Sequence, residues 1–446
     1  MSDYTKPTNE SEFEKNFEQI KPLMNSTQAY YESSRCLFCY DAPCVNACPT
    51  RIDIPLFIRQ INSGNLTGSA KTIYESNYFG YACGKVCPTD VLCEGACVYN
   101  LQEVKPIEIG RLQSFATSTA ISESKKLFIP GKPNGKKVAI IGAGPAGISC
   151  ACELRMMGYE AVIFEAREKP SGLTVYGVAP YKITNKEALD EMDYLQGQFG
   201  FEIHFESGIY KKEDFIRLEK EFDAVFIGTG LGKTNSLNIS GMNLENCFGA
   251  VEFIAELKIH QHNVKVGNKV IVLGGGNTAM DAASESARMG AEKVILAYRR
   301  SNEEKGAYEF EYDLAKSAGV KGMFNVSPVE ITGKDKVEGV KFIRTRTENG
   351  KVINIIGTEF TEPCDMVIVA TGQSKQEELL SNVSGITFDL KGRLVVNPEN
   401  YQTPNPKYFS AGDIISGGQE VVNAAADGKK AARGIDRYLK NKSLMI

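Results

Sequence analysis

The chain has 446 residues, 42% of them hydrophobic and 24% charged, with 51 Lys+Arg against 55 Asp+Glu for a net charge of −4. That composition excludes a mainly disordered chain and leaves room for about three domains at roughly 150 residues each. The charge balance demands no nucleic-acid partner, no apolar run reaches the roughly 18 residues of a membrane span, and the polar residues 1–17 lack the apolar stretch of a secretory signal, so a cytoplasmic protein is expected.

Residues 1–130 carry the first chemistry. Of 12 cysteines, eight fall between Cys36 and Cys97. They read Cys36-x2-Cys39-x4-Cys44-x3-Cys48-Pro49 and Cys83-x3-Cys87-Pro88-x5-Cys93-x3-Cys97. A reducing compartment disfavours disulfides. Structural zinc commonly uses two separated C-x2-C pairs, and only one such pair occurs here. Closely spaced cysteines ending in Cys-Pro are nearer to iron–sulfur segments, and eight thiolates would serve two clusters of four. Helices are expected over 54–62 and 110–122 from their spaced apolar residues. Cys150, Cys152, Cys247 and Cys364 read as small buried hydrophobes. The chain has three histidines, His204, His260 and His262, which gives little support to a histidine metal site or a Ser-His-Asp triad.

Residues 130–135, Pro-Gly-Lys-Pro-Asn-Gly, read as a linker. After it an apolar strand enters Gly142-Ala-Gly144-Pro145-Ala146-Gly147, a helical pattern follows, and a second strand ends at Glu165. The first Gly allows a tight turn, the second a close approach of backbone to a pyrophosphate, and the third close helix–strand packing. The terminal acid is placed to accept from ribose hydroxyls. A second strand–turn–helix–strand unit runs through Gly274-Gly275-Gly276-Asn277-Thr278 to Tyr298-Arg299-Arg300. Arginine at that strand end favours a 2′-phosphate, with a solvated basic strand end as the plain alternative. Strands ending in Thr-Gly occur at 226–230 and at Ala370-Thr371-Gly372, and Gly412-Asp413 follows an apolar strand near the C-terminus. No short tandem repeat is present.

Together these residues resemble a known family. The run from Tyr31 through Cys36, Cys39 and Cys44 to Cys48-Pro-Thr, then Gly84-Lys-Val-Cys87-Pro-Thr and Ile109-Gly-Arg-Leu-Gln113, is similar to the N-terminal half of dihydropyrimidine dehydrogenase. The small subunit of glutamate synthase shares the plan. The resemblance covers nearly the whole chain. It implies an α/β protein, with an N-terminal α-helical iron–sulfur domain followed by two Rossmann-like domains of flavoprotein disulfide-reductase type. The expected boundaries are 1–130 for two [4Fe-4S] clusters, 131–248 with 365–446 for FAD, and 249–364 for NAD(P)H.

By resemblance, Cys36, Cys39, Cys44 and Cys97 ligate one cluster, and Cys48, Cys87, Cys93 and Gln113 the other, leaving Cys83 spare. The glutamate synthase branch is expected to carry an acid in place of Gln113. FAD takes Gly142, Gly144, Pro145, Ala146, Gly147 and Glu165, with Gly172, Leu173 and Lys182 along the flavin and Gly412, Asp413, Gln419 and Val421 closing over it. The nicotinamide nucleotide takes Gly275, Gly276, Asn277, Thr278, Arg299, Arg300, Ala370, Thr371 and Gly372.

Two positions depart from the family. Ser171 stands where a Gly is usual before Gly172. The segment 302–306 lacks a second arginine and carries Glu303 and Glu304, which favours NADH, with NADPH as the alternative. The implied activity is hydride transfer from the nicotinamide to FAD, then single-electron transfer through the clusters to a separate FMN-containing dihydropyrimidine dehydrogenase catalytic subunit that reduces uracil or thymine. No side chain of this chain is expected to act as a general acid or nucleophile. The competing enzyme reading is a glutamate synthase small subunit or another NAD(P)H:acceptor module. A zinc-bearing scaffold that only senses nucleotides is the non-catalytic alternative.

Overall fold

The structure, a computed structural model, describes residues 4–444. The chain folds into two compact units. One takes the segment through Gln19, Tyr176–Tyr181 and Gly232–Ser374, and the other takes Ile20–Val175, Lys182–Leu231 and the segment from Lys375 onward. In chain order the helices begin with α1 (Glu10–Asn16), α2 (Ser26–Ser34), α3 (Pro43–Ala47), α4 (Ile54–Asn62), α5 (Leu66–Ser76), α6 (Gly80–Val86) and α7 (Ile109–Ser122). Strands and helices then alternate: β1 (Lys137–Ile141), α8 (Pro145–Met156), β2 (Glu160–Phe164), α9 (Leu173–Tyr176), α10 (Asn185–Phe199), β3 (Glu202–His204), α11 (Lys212–Glu221) and β4 (Ala224–Ile227). Next come β5 (Cys247–Gly249), α12 (Ala250–His260), β6 (Lys269–Leu273), α13 (Asn277–Arg288), β7 (Lys293–Tyr298), α14 (Glu309–Ser317) and β8 (Lys321–Phe324). They are followed by β9 (Val326–Thr332), β10 (Gly339–Glu348), β11 (Lys351–Asn354), β12 (Phe360–Pro363) and β13 (Met366–Val369). The chain ends with α15 (Glu377–Leu380), β14 (Tyr408–Ser410), α16 (Asp413–Ser416) and α17 (Val421–Leu444). Among the described residues no helix is long and apolar enough to cross a membrane.

In the second unit the helical part is held by caps and one apolar seam. Asn25 and Gln28 form a reciprocal capping box at α2, and Asp53 accepts the Leu56 N–H at the start of α4. Ile54, Phe57, Ile58 and Ile61 fall on one face of α4 and are buried with Ile73, Leu112 and Phe115. Helices α6 and α7 pack very closely, since a Cβ on Gly84 would lie 2.7 Å from the Gly110 carbonyl oxygen.

The same unit contains a parallel sheet of order β14-β4-β1-β2-β3. Val138–Ile141 and Ala224–Ile227 are buried along their length, as strands covered on both faces require. Tyr408–Ser410 pair with Val225–Ile227, which returns the C-terminal segment to the edge where β1 and β4 end.

The first unit has its own parallel sheet, β5-β13-β6-β7-β8, and an antiparallel sheet β11-β10-β12 with β9 paired to β10. The sequence reading does not anticipate the antiparallel sheet. Its hairpin turns at Asn349-Gly350, with φ of +50° and +74°, the left-handed pair that an Asn-Gly step supplies. Strand β5 already pairs with β13, so this unit opens at Gly232 and closes at Ser374 rather than at the expected 249 and 364. The N-terminal segment also belongs to it. Phe13 and Phe17 stack at 4.4 Å and are buried with Tyr181, Leu257 and Met289. Asn16 Nδ2 donates to the Arg288 carbonyl at 2.7 Å, and Arg288 Nη1 donates back to the Asn16 carbonyl at 2.7 Å. The helical region expected over 1–130 therefore divides after Gln19.

Candidate functional site

The cysteines collect in two places within the second unit. Cys36, Cys39, Cys44 and Cys97 line one cavity, whose other walls include Ile54, Pro55, Ile58, Ile107 and Ile109. Burial, then the neighbouring thiols, push Cys44 up to about 12, so this thiol resists ionisation until a cation shares the charge. Cys48, Cys87 and Cys93 form the second group. Burial raises the Cys93 thiol first, then Glu94, then Cys87 and Cys48. The Cys83 thiol lies against Cys87 and is the largest cause of the rise at Cys87. Gln113, buried on α7, donates Nε2 to the Gly80 carbonyl at 2.6 Å, which leaves Oε1 as the atom for other partners. Soft sulfur donors packed in an apolar core fit iron–sulfur groups. Among the described residues no three or more His, Cys, Asp or Glu are grouped for a single metal ion.

The turn after β1 is built from contacts that admit no side chain. Gly142 has φ of +100°, and a Cβ on Gly147 would stand 2.0 Å from the Gly142 carbonyl oxygen. A Cβ on Gly144 would meet nothing within 4 Å, and Gly144 opens α8 without a side-chain cap. The first N–H groups of α8, with Pro145 and Ala146 leading it, therefore stand beside open space, which suits a pyrophosphate. Glu165 accepts from Ala143 N at 2.7 Å and from Arg167 N at 2.8 Å, so its carboxylate braces this turn.

Other expected residues converge on the same turn. Ser171 N–H donates to the Ala143 carbonyl at 2.7 Å, and a Cβ on Gly172 would approach Gly144 Cα at 3.0 Å. Ser171 has φ of +79°, the left-handed region that explains why glycine suits this position. Gly412, with φ of +80°, would bring a Cβ to 3.1 Å from Ala146 Cβ. Asp413 accepts the Gln419 N–H at 2.9 Å, and burial raises its carboxyl. Leu173 is half-buried at the start of α9, Val421 starts α17, and Lys182 is buried in the same unit.

Two residues here escape the sequence reading. Thr229 Oγ1 is buried without a protein partner beside the Gly142 turn, and only the Thr-Gly strand end hints at it. Gly428 lets α17 press on α8, since its Cβ would lie 2.1 Å from the Ala146 carbonyl oxygen.

In the first unit, a Cβ on Gly274 would stand 2.4 Å from the Ala370 carbonyl oxygen, which sets Ala370-Thr371-Gly372 beside the second turn. Gly275 lies under the Tyr298 ring, and its carbonyl accepts the Ala307 N–H at 2.9 Å. Gly276 opens α13 uncapped, with no atom within 4 Å of a Cβ. Asn277 Oδ1 accepts Tyr308 N at 3.1 Å, and Thr278 is exposed. Thr371 Oγ1 donates to the Asn235 carbonyl, and the Gly372 carbonyl accepts Asn235 N–H. Arg299 and Arg300 leave β7 with their carbonyls bonded to Thr345 and Asn325. Glu304 accepts from Ser301 N at 3.2 Å and Thr347 Oγ1 at 3.0 Å. Backbone N–H donors hold Glu303 and Glu304 below the usual carboxylate range, with Lys305 near the first and Arg300 near the second.

Comparison with known proteins agrees with this layout. Residues 13–125 match the dihydropyrimidine dehydrogenase domain II, 4Fe-4S cluster family, and residues 136–428 match the pyridine nucleotide-disulphide oxidoreductase family. The chain is 33% identical over 448 residues to the glutamate synthase (NADPH) small chain of Escherichia coli, covering 95% of this chain and 94% of that one. It is 32% identical over 423 residues to the NAD-dependent dihydropyrimidine dehydrogenase subunit PreT of Escherichia coli, covering 95% and 97%. Among solved structures, Mycobacterium tuberculosis FprA in complex with NADPH aligns with a TM-score of 0.58 at 20% identity over 70% of this chain and 86% of that one. T. acidophilum thioredoxin reductase aligns with a TM-score of 0.52 at 22% identity, over 69% of this chain and 99% of that one. These two carry the fold alone. The chain belongs to the pyridine nucleotide-disulphide oxidoreductase family with a dihydropyrimidine dehydrogenase-type 4Fe-4S domain at its N-terminal side, and it is an NAD(P)H- and FAD-dependent electron-transfer oxidoreductase.

Proposed function

We propose that this chain is the electron-input subunit of a pyrimidine reductase. It takes a hydride from NADH and delivers single electrons, by way of FAD and two [4Fe-4S] clusters, to an FMN-containing partner that reduces uracil or thymine to the 5,6-dihydropyrimidine. The observation that carries this reading is the cavity lined by Cys36, Cys39, Cys44 and Cys97 in a chain that also holds two uncapped glycine-rich helix starts. When bound, FAD supplies the conversion of an electron pair into single electrons.

The side chains have holding tasks. The Gly142–Gly147 turn admits a pyrophosphate, Glu165 braces that turn, and the buried Thr229 hydroxyl offers a donor beside it. Cys48, Cys87 and Cys93 with Gln113 Oε1 hold the second cluster, and Cys83 stays a neighbour. Gln113 also favours the pyrimidine branch, because a neutral amide stands where the glutamate synthase branch is expected to carry an acid. The glutamate synthase small chain remains the second reading, on its equal degree of identity.

The test is anaerobic purification with the neighbouring partner subunit. NADH-dependent reduction of uracil, lost when the clusters are removed while NADH oxidation by an artificial acceptor persists, supports the proposal. Uracil reduction retained without clusters, or co-purification with a large amidotransferase partner, overturns it.

A further inference from the structure

Lys21 lies in the second unit, in the chain leading into α2, with no role in the reading above. It is half-buried, and its Nζ donates to the Cys87 carbonyl at 2.9 Å and to the Thr89 hydroxyl at 3.1 Å. Thr89 is itself buried. Both acceptors are neutral. The backbone of the segment is pinned as well. Lys85, fully buried, donates Nζ to the Lys21 carbonyl at 3.0 Å and pairs with Glu187 at 3.1 Å. Arg111 Nε donates to the Pro22 carbonyl at 3.0 Å. The ammonium is thus anchored from behind and aimed at the second group of cysteines.

One of the two acceptors is the backbone of Cys87 itself, so the ammonium stands at the residue that carries one of these thiols. The acids facing this group are Glu94, half-buried and accepting Gly110 N–H at 2.9 Å, Asp90 and Glu420.

We propose that Lys21 is a positioning residue that sets the reduction potential of the cluster held by Cys48, Cys87, Cys93 and Gln113. Reduction adds one electron to the cluster. No bond forms or breaks. A fixed cation beside the thiolates stabilises the more negative, reduced form and raises the potential of that cluster.

The proposal rests on the cluster assignment given above. The experiment is an EPR-monitored potentiometric titration of the reconstituted full chain, with iron and sulfide counts, for wild type, Lys21→Met and Lys21→Arg. Lys21→Met is expected to lower the midpoint of one cluster and leave the other unchanged, and Lys21→Arg is expected to stay close to wild type. Unchanged midpoints in Lys21→Met at full iron content, or equal shifts of both clusters, overturn the role of Lys21 alone. Wild-type iron equal to a single cluster overturns the assignment itself, and the proposal with it. If Lys21→Met loses iron, Lys21→Gln, which keeps a neutral donor, is read in the same way. Loss of iron in both shows a purely structural lysine and overturns the proposal.

Discussion

The backbone N–H of Tyr81, in α6, donates to the carboxylate of Glu191, in α10, at 2.6 Å, and the same carboxylate accepts from Ala82 N and Tyr74 Oη at 3.0 Å each. Burial pushes the Glu191 carboxyl up to about 7, and these three donors pull it back only in part. An acid with a folded pKa above its unfolded value binds more protons when folded. Its contribution to stability is therefore fully present below the unfolded pKa and is lost as pH rises toward about 7. Wild type is expected to lose up to about 3 kcal/mol from this group between roughly pH 4.5 and pH 7. Glu191→Gln should flatten that slope, measured by urea unfolding across this range. An unchanged slope in the variant refutes the assignment of the titration to Glu191.

Gly147 tests the first nucleotide turn. A Cβ there would stand 2.0 Å from the Gly142 backbone oxygen, which no rotamer can relieve. Gly147→Ala should cost about 3 kcal/mol at the turn and lower flavin affinity by a factor of roughly 100. The flavin-to-protein ratio from visible absorbance reads the loss. Normal flavin content in the variant would contradict the placement of FAD.

How far the sequence reveals this site depends on whether a contact is local. Gly142, Gly144 and Gly147 announce themselves by their spacing between a strand and a helix: Gly147 presses on the Gly142 carbonyl five residues back, Gly142 needs a positive φ, and Gly144 leaves the helix start open. Gln113 and Cys97 become readable only through resemblance, since their neighbours lie far away along the chain. Thr229, Gly428 and Lys21 are harder still. Each acts on a backbone segment remote in sequence, and a lone Thr, Gly or Lys carries no period or spacing. The Asn349-Gly350 step is a different kind of miss: the turn chemistry stood in the sequence, but the flanking strands alternate poorly because β11 is largely exposed.

Glu303 and Glu304 should decide the nicotinamide nucleotide. Both are exposed anions in the segment that follows Arg299 and Arg300, with Glu304 near Arg300, and a 2′-phosphate held by the arginines would meet their repulsion. The chain is expected to show a higher kcat/KM with NADH than with NADPH. Glu303→Lys should move that ratio toward NADPH by roughly two- to fivefold, the scale of a surface charge pair. Steady-state kinetics with ferricyanide as acceptor gives the ratio, and no movement would remove Glu303 from the specificity argument.

Asn16 supports the N-terminal segment in the first unit. Its amide donates to the carbonyls of Thr5 and Arg288 at 2.8 and 2.7 Å. Asn16→Ala leaves a buried carbonyl without its donor and should destabilise that unit by about 2 kcal/mol. Thermal unfolding and protease cleavage within the first twenty residues report the effect; resistance equal to wild type would show that Phe13 and Phe17 suffice.

The cavity shared by Cys36, Cys39, Cys44 and Cys97 has a consequence for how the protein matures. Cys48 stands next to the first three in the chain but in the other group in space, so the two groups are interleaved rather than consecutive. A nascent peptide that stops short of Cys97 contains neither group complete. Metal delivery to a partly synthesised chain would find three thiols and an open side, a poor trap and a ready target for oxidation. On the proposed ligand sets, loading waits until the segment through Cys97 and then α7 with Gln113 have emerged and docked, so biogenesis of the cofactors would follow folding rather than guide it.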